Sequence, residues 1–500
     1  LLLTQFLVAM ESSIVGTSIE TITGAIGSTE RAQLVFTMYL VSYASFILLI
    51  GKISDVLGRR ATFLASTFIF TIFSIACGAS QTMVQLIIFR SFQGLGASGI
   101  QAITIIIIPD LIPHPKMLSY SSMVAMTMIG GLLIGLFLGG WISTEGAWRW
   151  CFYVNGPFGL TALVATLALP WNHPPRVTAM QKERPSIVSG LARIDWIGCF
   201  LFVLGSVPLL FALIEAEVLL AWTNGAIIAC LIISGSSYIA LFFHQWWLYK
   251  RLNTSINPLI PIELFTKRYS AALLISSFWF GFPYYGIMLM LPKRFQLINS
   301  SSPVNAAMRT LPMLAVVPFV IIAVNVALGK TKLSPFYVLI GCTAAQIISV
   351  SILATVPSQF PTGFYVVVAL IGCGNGPYLG VGFRMMGAFV RMRTKVDGSD
   401  ALGLLNQMRI LGGAIGLAIS ARLLTSHVVR SGSDVLSQEV RSQLARTPEI
   451  LFALPTTAMR ASARELLNGG FNYGFIFHAG AAAISFLALF TIPRAVWKAK

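Results

Sequence analysis

Glu11 stands inside the apolar run that opens the chain, and Arg90 stands inside another. A charged side chain within a membrane span costs on the order of 2.5–3.5 kcal/mol on insertion scales, so such residues usually face a cavity and serve a function. A carboxylate that alternates between an apolar setting and one facing a cation can bind and release a proton reversibly. Arg90 is the natural cation, which makes Glu11 and Arg90 the expected proton-coupling pair; the alternative is a static pair that locks the helices. Glu20 reads as a solvated residue near the outer end of the first run. His244 and His478 are lone histidines, read as packing or interfacial groups rather than proton relays. The cysteines (Cys77, Cys151, Cys199, Cys230, Cys342, Cys373) fall in or beside apolar segments without C-x-x-C or zinc spacing, so they read as small core residues. There is no metal-ligand set, no Walker loop and no His/Asp/Cys constellation, so neither a cofactor nor an enzyme is expected.

These charges need apolar helices to hold them. Of the 500 residues, 56% are hydrophobic and 10% charged, against about 25% charged in soluble chains. Apolar stretches of membrane-spanning length recur throughout. They are expected as helices near 1–22, 33–50, 62–79, 83–108, 118–142, 151–170, 194–214, 224–246, 270–291, 308–328, 335–355, 362–383, 400–424 and 471–492. The net charge of +17 lies mainly at the ends of these runs. Lys52, Arg59, Arg60, Lys250, Arg251, Lys267 and Arg268 fall on one side, while the other short loops hold few basic residues. That is the positive-inside pattern and not a nucleic-acid stripe. It orients fourteen spans with both termini cytoplasmic. Leu1 lies within an apolar run without a basic leader, so no cleavable signal is expected, and a native extension is expected ahead of it.

The chain also repeats itself. Gly94, Gly96 and Gly99 in the fourth run echo Gly372, Gly374 and Gly376 in the twelfth; Gly130, Gly131 and Gly135 in the fifth echo Gly412, Gly413 and Gly416 in the thirteenth. Both pairs are eight runs apart, as expected of two six-helix halves separated by two inserted helices, and such repeats mark alternating-access transporters. The expected organisation is an N-terminal six-helix bundle over 1–170, a cytoplasmic linker over 171–193 and two inserted helices over 194–246. A cytoplasmic loop over 247–269 and a C-terminal six-helix bundle over 270–500 follow, the latter with a long extracytoplasmic loop over 425–470.

The connection after the second run reads Gly51-Lys-Ile-Ser-Asp55-Val-Leu-Gly58-Arg59-Arg60. Its glycines allow a reversal, Asp55 can pair with a cation, and the arginines anchor the cytoplasmic side. This resembles the signature loop of the major facilitator superfamily, in which it acts as a conformational switch. Arg90, Gln93, Gly94 and Gly96 are similar to the family's R-x-x-Q-G-x-G segment. The run from Trp148, Arg149, Trp150 and Phe152 to Asn155, Pro157 and Gly159 is similar to that of the fourteen-span drug:proton antiporters, as are Asp195-Trp196-x-Gly198 and the segment from Leu405 to Gly416. The overall wording is most similar to fungal pumps that export toxins and secondary metabolites. The resemblance implies an all-α membrane protein with fourteen transmembrane helices, and cooperation of Glu11 with Arg90 in proton coupling.

Two departures stand out. The antiporter packing motif in the fifth run keeps Gly131, Gly135, Gly139 and Gly140 but has Leu136 in place of the proline; in the first run Glu11 replaces the family's aspartate and Glu20 its proline. Substrate contacts are expected from Gln93, Gln101, Trp279, Phe280, Tyr284, Tyr285, Asn375, Tyr378 and Asn406, because aromatic area with a few amides suits an amphipathic ligand. Arg409 either faces substrate or ties its helix to a neighbour. The expected function is proton-driven export of amphipathic small molecules, drugs included, by a monomer in the plasma membrane. The alternatives are an importer or exchanger of a specific metabolite or siderophore, and a non-transporting membrane sensor. The expected partners are the substrate, protons and the lipid bilayer, with no nucleic acid.

Overall fold

A computed structural model describes residues 1–26, 32–111, 114–144, 147–168, 187–216, 222–251, 256–331, 333–359, 361, 363–393, 396–432 and 435–492. The linker over 171–186, the last eight residues and the side chain of Glu20 lie outside the described residues. Lipid offers no hydrogen bonds, so each apolar run must satisfy its backbone internally, which helices do. The longer helices among the described residues are α1 (Leu2–Ile26), α2 (Ala32–Leu57), α3 (Arg59–Ala79), α4 (Met83–Leu111), α5 (His114–Thr144), α6 (Asn155–Ala168), α7 (Trp196–Glu215), α8 (Gly225–Lys250), α9 (Arg268–Ile298), α10 (Pro303–Lys330), α11 (Pro335–Leu353), α12 (Phe364–Arg393), α13 (Gly398–Arg430) and α14 (Thr457–Phe490). Among the described residues, twelve of them are long and apolar enough to cross a membrane, α6 being counted together with the short helix Trp150–Tyr153 ahead of it. The runs expected at 83–108 and 118–142 are helical as α4 and α5, but α5 contributes only the shorter apolar stretch Met126–Ile142 and α4 is not among the twelve.

Side-chain caps set several helix starts. Asp195 accepts from the Gly198 amide at 2.8 Å ahead of α7, and Asn224 accepts from the Ala226 amide at 2.9 Å ahead of α8. Between α2 and α3 the chain reverses through Gly58 at φ 91°, a left-handed position that favours glycine. The 425–470 segment differs from expectation. α13 continues to Arg430 and α14 starts at Thr457, and between them lie the short helix Gln438–Arg446 and the 3-10 turn Pro448–Ala453. Leu436, Leu444, Leu451 and Leu454 of this segment are buried in one apolar cluster with Phe295, Val356, Phe471 and Phe475. Its polar residues hid from the sequence those few leucines that fold it onto the helices.

The chain divides into two compact units, 1–270 with 386–407 and 271–385 with 408–500. In unit 1, glycines let helix backbones touch: a Cβ on Gly131, Gly135 or Gly139 of α5 would strike the carbonyl oxygen of Phe6, Met10 or Ile14 on α1. Gly140 is only half-buried. Gly94 of α4 abuts the Tyr39 carbonyl of α2, and Gly96 the Phe70 backbone of α3. In unit 2, a Cβ on Gly412 of α13 would strike the Phe278 carbonyl of α9, and one on Gly281 the Arg409 carbonyl; Gly416 meets Phe282. Gly372 of α12 abuts Met313 of α10, and Gly374 abuts Cys342 of α11.

Candidate functional site

Five helices of unit 1 converge on Glu11. The Nη1 of Arg90, on α4, donates to Glu11 Oε1 at 2.5 Å and to Gln93 Oε1 at 2.8 Å. Asn155, on α6, donates from Nδ2 to Glu11 Oε2 and to Ser74 Oγ of α3, the latter at 2.9 Å. Arg90 Nε donates to the Val35 carbonyl at 3.2 Å, and the guanidinium lies 4.3 Å over the Tyr39 ring; both partners belong to α2. Glu11, Arg90, Gln93, Ser74 and Asn155 are all fully buried. Opposite charges in contact keep the cluster neutral overall, while removing either one would leave the other buried and unpaired at a cost of about 3–5 kcal/mol. Protonating Glu11 cancels one charge of the pair and releases Arg90 from its anion, so a single proton would change how α1, α4 and α6 hold one another. Gln93, expected at a substrate surface, is placed on Arg90 instead. Asn155 belongs to a motif visible in the sequence, but nothing there indicated that its amide reaches Glu11.

The loop expected to switch conformation is also pinned. Arg59 pairs with Asp55, one helical turn earlier, and donates to Ser54 Oγ at 2.5 Å. Arg60 donates to the Thr166 and Leu167 carbonyls at the end of α6, at 3.0 and 2.8 Å. Gly51 has room for a Cβ, the nearest atom being Ile106 Cδ1 at 3.7 Å. Lys52 pairs at 2.6 Å with Asp400 in the first turn of α13, and Gln407 donates to the Ala44 carbonyl of α2 at 3.0 Å. A small, partly open hollow lies here, lined by Lys52, Asp55, Ile106, Leu259, Asp400 and Gly403. In the connection ahead of α13, partial burial first and Asp400 second push the Asp397 carboxyl above the usual carboxylate range, with Lys52 and Arg59 pulling the other way. The α7–α8 pair is clasped by Asp195, which receives His244 Nε2 at 2.8 Å and Gln245 Nε2 at 2.6 Å.

The expected substrate residues separate. In unit 2, the Arg409 guanidinium lies 4.8 Å over the Tyr284 ring and 5.4 Å over the Tyr285 ring. Phe280 is 6.1 Å from Tyr284 and stacks at 3.7 Å on Tyr378, whose hydroxyl meets Ser276 Oγ at 2.6 Å. Trp279 stacks instead on Phe282 at 4.9 Å, and Asn375 accepts from Gln346 Nε2 at 2.8 Å. Gln101 and Asn406 are buried on residues of unit 1. His478 bonds Ser420 Oγ at 2.8 Å and packs on Gly286, inside unit 2. Among the described residues, no group of His, Cys, Asp and Glu could hold a metal ion.

Comparison with known proteins bears on what such an arrangement does. The family model described as Major Facilitator Superfamily matches residues 1–417. The chain is 33% identical to the MFS-type transporter FPY5 of Fusarium mangiferae, over 90% of this chain and 75% of that protein. It is 28% identical to an aspyridones efflux protein of Neocamarosporium betae, over 88% and 75%. The crystal structure of the human organic anion transporter MFSD10 shares the fold, with a TM-score of 0.60 at 13% identity over 98% of both chains.

Proposed function

From the premise that this chain belongs to the Major Facilitator Superfamily, as a multi-pass membrane transporter and not an enzyme, we propose that it exports an amphipathic small molecule in exchange for protons. The substrate class is a secondary metabolite or toxin, in keeping with relatives named as fungal efflux proteins. In this reading α4 and α5 join the twelve apolar helices to give fourteen crossings, both termini are cytoplasmic, and the membrane is the plasma membrane. The observation that carries it is the buried Glu11 carboxylate held by Arg90 and Asn155. Proton arrival at Glu11 frees Arg90 and loosens α1 from α4 and α6; proton departure restores the pair. The Lys52–Asp400 and Arg59–Asp55 pairs then act as the cytoplasmic latch that opens and closes in each cycle, and alternating access follows from the two events in turn. A membrane potential of about 100 mV contributes ~2.3 kcal/mol per proton, and one pH unit adds ~1.4 kcal/mol. Together they support a concentration ratio on the order of several hundred at one proton per substrate.

The test is flux of fluorescent amphipathic probes in proteoliposomes under an imposed pH gradient, comparing wild type with Glu11→Gln. The variant is expected to lose gradient-driven accumulation while keeping downhill exchange. Undiminished gradient-driven flux in the variant would refute Glu11 as the proton carrier, and wild-type flux indifferent to the gradient would point to uniport.

A further inference from the structure

Among the described residues three acids are buried, Glu11, Asp195 and Glu215, and they are not held alike. Glu11 has the Arg90 guanidinium and the Asn155 amide. Asp195 receives the Gly198 amide, His244 and Gln245. Glu215, the last residue of α7, is 0% exposed, yet neither of its carboxyl oxygens makes a hydrogen bond. None of the ion pairs among the described residues includes it.

Three elements of unit 1 surround this acid. Thr37 of α2 is close enough to act on it, although the hydroxyl, also fully buried, is not in bonding geometry. On the α8 side, Ala212 and Ala216 of α7 pack with Ile227, Leu231, Cys230 and Trp222 in an apolar cluster. The indole N–H of Trp222, in the turn ahead of α8, is buried without an acceptor. Cys230 is the titratable group of that cluster, and on α2 the titratable Tyr39 lies under Arg90 instead.

A bare carboxylate does not persist in such a place. Burying an unpaired charge costs far more than burying a neutral group, so the ion takes up a proton or a counter-ion. The helix end adds to this, because its unsatisfied carbonyls carry partial negative charge and disfavour an anion beside them. The neutral acid fits where the ion does not, since it can both donate to and accept from the Thr37 hydroxyl. Thr37 also fixes the level of the site. Val35 and Tyr39, one turn apart on α2, bear on Arg90 through a carbonyl and a ring. Thr37 lies between them, about 200° round the helix and ~3 Å along it from either. Glu215 therefore stands across α2 from the Glu11–Arg90 pair, at nearly the same level.

We propose that Glu215 is a second proton-binding site, separate from Glu11, where a proton from water adds to a carboxyl oxygen and holds the end of α7 against α2. Loss of that proton leaves a carboxylate that must reach water, and the seam between α7 and α2 opens to let it. The α7–α8 pair thereby has a task of its own, sensing protons at the helix on which Arg90 also leans. The site stands whether or not Glu11 carries the coupling proton.

The test is infrared difference spectroscopy of the full chain reconstituted in lipid, between neutral and alkaline pH. The wild type is expected to show the C=O stretch of a neutral carboxylic acid and to lose it as the pH rises. Glu215→Gln should lack this band and Glu11→Gln should keep it, which separates this site from the one proposed for coupling. Thr37→Val keeps the acid but removes the hydroxyl beside it, so it should shift the band without erasing it; this reads the site even if Glu215→Gln does not fold. The Tm of the wild type should also fall more steeply towards alkaline pH than that of Glu215→Gln, because only the wild type has this proton to lose. A wild type without the band at any pH, a band surviving in Glu215→Gln, one unmoved by Thr37→Val, or parallel Tm profiles would each overturn the assignment.

Discussion

The α1–α5 seam of unit 1 and the α9–α13 seam of unit 2 are built to one plan, yet the charges beside them differ. In each, glycines of the later helix meet backbone of the earlier one, Gly131 and Gly135 on Phe6 and Met10, Gly412 and Gly416 on Phe278 and Phe282. The same holds for Gly94 on Tyr39 and Gly372 on Met313. Carried along these matched helices, Glu11 falls opposite Pro283, Arg90 opposite Val368 and Arg409 opposite Met128. The Glu11–Arg90 pair of unit 1 thus has no charged counterpart at the matched positions of unit 2, nor Arg409 one at Met128 of unit 1. A repeated scaffold fixes where backbones touch, and a few side chains that break the repeat set the two units apart.

Breaking the shared plan should have the largest effect. Gly135→Leu and Gly412→Leu each drive a side chain into a carbonyl oxygen, and overpacking costs about 1–3 kcal/mol even where the clash is with side chains. Both are expected to abolish monodisperse protein in size-exclusion chromatography, whereas Gly130→Leu, with open space around it, should not. If Gly412→Leu is tolerated and Gly135→Leu is not, the two seams are not equivalent.

Breaking the difference comes next. Arg90→Ala leaves Glu11 buried without its cation and should lower stability by about 3–5 kcal/mol. The double change Glu11→Gln with Arg90→Gln should recover most of the lost Tm but none of the proton coupling. A Tm no higher than that of Arg90→Ala would show that packing, not charge, was lost. Within the proposed latch, Lys52→Ala and Asp400→Ala should be non-additive by about 0.5–3 kcal/mol; additive losses in a double-mutant cycle would mean that the pair does not couple.

The smallest effect concerns Asp397. Its carboxyl is raised in the folded chain, so the folded state binds the proton more tightly than the unfolded one. Stability should therefore rise as pH falls through the raised value and be lost again above it. Asp397→Asn should flatten the Tm profile above the ordinary carboxylate range of about pH 4; a profile identical to wild type would contradict this.

Much of the scaffold was legible because lipid imposes length and apolarity on every helix, and glycine marks where two backbones approach. Glu11 and Arg90 could be singled out because a charge in an apolar run needs a reason. What sequence could not show was partnership across distance. Lys52 and Asp400 are 348 residues apart, and neither sits in a pattern that names the other. Gln93 reads in the sequence as a substrate contact, and Asn155 only as part of a motif; their contacts with Arg90 and Glu11 emerge in the fold. The aromatic stretch Phe278–Tyr285 has rings on all sides, so only the fold separates Trp279, stacked on Phe282, from Phe280, Tyr284 and Tyr285 near Arg409 and Tyr378.

The segment between α13 and α14 has a bearing on biogenesis. Leu436, Leu444, Leu451 and Leu454 complete a core to which α9, α11, α13 and α14 also contribute. A nascent chain that has delivered only as far as Arg430 therefore holds several helices whose shared apolar end still lacks its cover. Final closure of unit 2 must wait until the chain as far as Leu454, and α14 after it, has been synthesised. Quality control during synthesis would meet that uncovered surface in every molecule, and the speed with which this short segment folds sets how long it stays in view.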